Sequence, residues 1–82
     1  MDVQLYQEVA LTMPVAEFAL KRGDVAMLVD IVPHPAGGED GYVLEFFNAI
    51  GESLFVTTVP RSSVEPLHAN EILSVRTLVR AA

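Results

Sequence analysis

Lys21, Arg22, Gly23 and Asp24 put two cations, a glycine and an acid directly ahead of the apolar run Val25 to Val32. Cations held over glycine amides are the parts of an anion site. This segment lacks the second glycine and the Gly-Lys-Ser/Thr ending of a phosphate loop. It therefore reads as a turn in which Gly23 takes a special φ and Asp24 caps the backbone. His34, Glu39 and Asp40 place three possible metal ligands on one loop. Zinc sites want four defined ligands and the spacing does not fit an EF-hand, so this loop reads as solvated. His68 is remote from His34 in sequence, and no spacing brings the two together. Serines 53, 62, 63 and 74 lack the glycine pattern of a nucleophile elbow. Glu45 and Glu52 can face each other across a hairpin, where a carboxylate pair is ordinarily plain surface. The absence of cysteine removes thiolate nucleophiles, disulfides and cysteine-type zinc sites. The expectation is a non-enzymatic chain with no catalytic residue, metal or cofactor.

What positions these residues must be small. Eighty-two residues make one core. Such a chain buries only about 60 to 65% of its unfolded surface, so apolar residues must be used efficiently or shared with a partner. Hydrophobic residues make up 51% of the chain, which hints at an apolar contact face. Eleven acids against five bases give a net charge of -6. That field repels phosphate backbones, so nucleic acid is not the expected partner and a basic protein is. The opening "MDVQLYQEVA" has no basic region of a signal peptide. The longest apolar run is too short for a bilayer, so no membrane is expected and the assigned location is cytoplasmic.

Along the chain the segments are short and punctuation is frequent, as in all-β folds. Glu8 to Leu11 makes a first strand. "VAEFAL", Val15 to Leu20, is an excursion packed over the core by Phe18 and Leu20. Val25 to Val32 is a β-branched, mostly buried strand. Pro33 to Gly41 is a loop, and the most mobile segment expected. Tyr42 to Asn48 alternates, with Tyr42, Leu44 and Phe46 as the core face. Ala49 to Glu52 forms a hairpin turn with Gly51 at positive φ, and Ser53 to Val59 returns antiparallel. Arg61 to Val64 reads as one helical turn before a short last strand. The fold class is thus a small, strongly bent all-β barrel of about five strands over residues 1–67, with 68–82 as an extension. As a helix, that extension would be capped by Asn70 and striped by Ile72, Val75, Leu78 and Val79. As a strand, it would run through about Arg76 and be shared with another chain by edge pairing, the reading favoured here.

Taken together, "LYQEVALT", "LKRGDVAMLVDI", "GYVLEFFNAIGESLFVTTVP" and "VEPLHANEILSVR" resemble the short bacterial proteins of domain-of-unknown-function family 4926. The matching positions are Lys21, Gly23, Asp24, Tyr42, Leu44, Glu45, Phe46, Thr57, Thr58 and Pro60. Ala26 departs from the glycine of many members, and the loop from Pro33 to Gly41 is long. The resemblance implies an SH3-like barrel with no established activity, and by analogy a small partner or antitoxin-like component.

The aromatic residues carry the functional expectation. If Leu54 and Val56 point inward along their strand, Phe55 points outward beside the outward Phe47. Either the extension or the "VAEFAL" excursion covers this pair, or the pair is a protein interface. The interface residues expected are Phe47, Phe55, Ile72, Val75 and Leu78, with Gly23, Asp24 and Gly51 as structural turns. The function read from these features is binding to a basic protein, or self-association, in the manner of an antitoxin or immunity-type neutraliser. A structural accessory subunit is the alternative, and a nucleic-acid-binding small barrel a more distant one.

Overall fold

The computed structural model describes residues 3–79. It is all-β, with strands β1 (Glu8–Leu11), β2 (Val25–Val32), β3 (Gly41–Phe47), β4 (Ser53–Pro60) and β5 (Val64–Pro66). They form one antiparallel sheet in the order β4-β3-β2-β1-β5. A 3-10 turn at Arg61–Ser63 separates β4 from β5, where one helical turn was expected. The sheet is curled, and no ladder joins β4 to β5 among the described residues.

Alternation builds the core. Leu28 and Leu44 are partners across β2 and β3 and are fully buried, with Val9 and Leu11 of β1 beside them. Tyr42 and Phe46 share the buried face of β3 with Leu44, as their two-residue spacing demands. The excursion between β1 and β2 bends through a 3-10 turn at Ala16–Phe18, with Ala19 left-handed at φ 56. It folds back through paired backbone bonds between Val15 and Leu20, which buries Leu20.

Two bulges set which faces look inward. Partners run in register from Met27↔Glu45 to Leu28↔Leu44, then resume at Asp30↔Val43, leaving Val29 unpaired. On the other side of β3, Phe46 pairs with Phe55 while Phe47 pairs with Ser53, leaving Leu54 unpaired. A one-residue slip sends every later side chain to the opposite face. Beyond Leu54 the inward set is therefore Phe55, Thr57 and Val59, whereas Leu54 and Val56 face out. The expected orientation of β4, with Leu54 and Val56 inward and Phe55 outward, is corrected by this single bulge.

The extension is corrected as well. After Pro66 the chain turns at Ala69–Asn70, and residues 71–79 form neither strand nor helix. An isolated apolar stripe with nothing to pack on does not offset the ordering cost of a short helix. Instead this arm runs back to the start of β2, where Arg76 meets Asp24. Residues 80–82 of the expected extension lie outside the described residues.

Candidate functional site

The turn before β2 is built as its residue types demand. Gly23 has φ +91, and a side chain there would be strained although nothing crowds it. Asp24 Oδ2 accepts the Lys21 amide at 2.8 Å, and the Asp24 amide donates to the Lys21 carbonyl at 3.0 Å. The hairpin end is held by Asn48, whose Oδ1 accepts the amides of Ile50 (3.1 Å) and Glu52 (2.9 Å), with Gly51 at φ +86. The turn before β2 and the turn after β3 lie at the same end of this antiparallel pair.

Between them lies an open groove of about 600 Å³, walled on its third side by the arm. Phe47, Phe55, Ile72, Val75 and Leu78, separated by up to 31 positions in sequence (47 to 78), all line it. Phe55 forms part of its floor, stacked on Phe18 with ring centroids 4.4 Å apart and packed against Phe46 at 5.5 Å. The excursion thus covers Phe55, one of the two arrangements expected for it. Phe47 stays on the rim and is 41% exposed. Ile72 and Val75 are 93% and 91% exposed. Phe55→Ala is therefore expected to cost about 2 kcal/mol through the lost ring contacts, and Phe47→Ala no more than about 0.5 kcal/mol. Paired urea unfolding curves check this contrast.

The arm is latched by charge. Arg76 donates through Nε to Asp24 Oδ1 at 2.9 Å, pairs through Nη2 with Oδ2, and reaches the Ala19 carbonyl at 3.3 Å. Burial alone would raise the Asp24 carboxyl, but the Arg76 hydrogen bonds, the Lys21 amide and the charges of Arg76 and Lys21 outweigh it and hold it low. The same contact raises the Arg76 guanidinium. A depressed acid stabilises the fold above its unfolded pKa and loses that contribution as pH falls through the lower folded value. The stability difference between wild type and Arg76→Ala is expected to be full above the ordinary carboxylate range, about pH 5, and to be lost progressively as pH falls below it. Urea midpoints measured across that range read it directly.

Charge is unevenly placed. Lys21, Arg22 and Arg76, three of the five Lys and Arg residues, line the groove beside the lone acid Asp24, although the chain carries -6 overall. The other chemical candidates do not converge. Glu45 accepts the Ser53 hydroxyl at 2.6 Å and Glu52 accepts the Asn48 amide group at 2.7 Å, so the two glutamates do not form a facing pair. His34 Nδ1 accepts the Ala36 amide at 3.1 Å, while Glu39 turns to Ser62, whose side chain first and backbone amide second hold its carboxyl low. The loop from Pro33 to Gly41 is tied to the 3-10 turn by that contact and by the Arg61 amide on the Asp40 carbonyl at 3.0 Å. Among the described residues no three His, Asp or Glu side chains are grouped as a metal site, and no helix is long and apolar enough to cross a membrane.

Sequence reasoning missed the latch, because 52 residues separate Asp24 from Arg76 and no local pattern links them. It also missed the groove, which exists only once the arm turns back. No family model, curated protein or solved structure matches the chain.

Proposed function

We propose that this chain is a non-catalytic protein-interaction module whose contact surface is the groove lined by Phe47, Phe55, Ile72, Val75 and Leu78. The observation that carries the reading is the gathering of these five apolar residues on one open concavity, with Ile72 and Val75 left almost wholly in water. Exposed apolar side chains flanked by polar turns are the composition of a binding patch. The acidic remainder of the surface acts at longer range and favours a basic partner, as in an antitoxin or immunity-type neutraliser, while the groove makes the short-range contact. The resemblance to domain-of-unknown-function family 4926 fits this reading by analogy, and a cytoplasmic setting accords with the absence of cysteine.

Salt separates the two contributions. A tagged chain bound to a basic partner at low ionic strength should release it as salt rises, because screening removes the long-range attraction. Retention that is indifferent to salt would remove the basic-partner part of the proposal and leave apolar contact alone.

A further inference from the structure

The sign of the charge in the groove is opposite to that of the chain. Lys21, Arg22 and Arg76 line it with one acid, Asp24, so three cations against one carboxylate leave +2 there in a chain of net -6. Arg76 and Asp24 satisfy each other. Lys21 and Arg22 are exposed, and among the described residues neither side chain has an ion-pair or hydrogen-bond partner. Two uncompensated cations therefore stand beside an apolar floor. The arm that walls the groove adds unmet groups of another kind. From Ile72 to Val79 no backbone amide donates a hydrogen bond among the described residues, because the segment forms neither strand nor helix.

We propose that the occupant of the groove is an extended segment of another protein in which apolar residues surround an acidic one, its carboxylate taken by Lys21 and Arg22 and its apolar side chains by Phe55, Ile72 and Val75. This names the chemistry of the contact and rests on the reading of the groove as a protein interface. Carboxylate bonds to cations are charge-assisted, and unpaired main-chain groups along a wall are what an extended peptide matches with its own. A fatty acid would supply the carboxylate and the apolar contact but leave the arm's amides without partners. A basic segment would meet two cations with no counter-charge and be rejected. Charge thus has two roles: the acidic remainder of the surface attracts the basic body of the partner, while the segment that enters carries the opposite sign.

The test is selection of a displayed library of random nine-residue peptides on the full chain. Wild type is expected to enrich peptides that hold Asp or Glu among Val, Ile, Leu or Phe. An enriched peptide, made synthetically with a fluorescein label, should lose about tenfold in affinity to Lys21→Gln/Arg22→Gln in anisotropy titrations. That change removes both charges at exposed positions, and circular dichroism confirms that the variant is folded. Replacing the peptide's acid by its amide should cost about as much against wild type and almost nothing against the variant, as coupled groups require. No enrichment, enrichment of basic peptides, saturable binding of oleate in place of any peptide, or an affinity indifferent to Lys21→Gln/Arg22→Gln would each overturn the proposal. If acid-free apolar peptides are enriched and Phe47→Glu/Val75→Glu abolishes their binding, the acidic segment alone has failed and the interface reading stands. Peptides that bind that double variant as they bind wild type would remove both.

Discussion

Leu44→Ala is expected to destabilise the protein by about 2 to 5 kcal/mol, the range for removing a fully buried leucine from a core that cannot collapse around the space. Leu44 has no exposed surface, pairs with Leu28 on β2 and lies opposite Thr57 on β4, so it is enclosed by strands on both sides. A domain of this size has a total stability of only about 4 to 12 kcal/mol. The substitution therefore removes a large share of it and lowers the melting temperature by about 10 to 25 °C. Thermal unfolding followed by circular dichroism measures the shift. A fall of less than about 5 °C would mean that the central strands do not carry the core.

The second large effect concerns binding. Phe47→Glu combined with Val75→Glu should weaken association with a groove-bound partner by about a hundredfold or more, equivalent to about 3 kcal/mol. Both side chains are substantially exposed in the single chain, Phe47 at 41% and Val75 at 91%, so neither supports the core. A carboxylate at each position must be desolvated when the groove is covered. Stability should stay within about 0.5 kcal/mol of wild type. A substitution that spares folding while abolishing binding separates surface from scaffold. An equal loss in both would show that these residues hold the fold.

Most of the scaffold was legible because its signals are local. The bounds of β1 and β2 follow from punctuation at Thr12 to Pro14, Gly23-Asp24 and Pro33. The inward set Tyr42, Leu44 and Phe46 follows from strict alternation. The excursion's use of Phe18 and Leu20 follows from their being its large apolar residues. What escaped depends on one extra residue or on distance. The bulge at Leu54 reverses β4, and nothing in "SLFVTTVP" marks it, since Leu54 and Phe55 are both credible inward residues. The loop closed by Asn48 and Glu52 fixes that register through side-chain bonds that alternation does not encode. The arm's course is set by a charge pair between Asp24 and Arg76, 52 positions apart. Its apolar residues satisfy neither a helical nor a strand pattern because their cover is not local. The five expected contact residues nevertheless meet around one groove, Phe47, Ile72 and Val75 exposed, Leu78 half-buried and Phe55 as floor.

Affinity capture of the tagged chain from its native cell, run in parallel with Phe47→Glu/Val75→Glu and read by intact-complex mass, tests the interface most directly. The account predicts that wild type carries a stoichiometric protein, a second copy or another chain, and that the folded double variant carries none. The same complex at the same stoichiometry with both proteins would contradict it, because the groove would then play no part in what this chain binds.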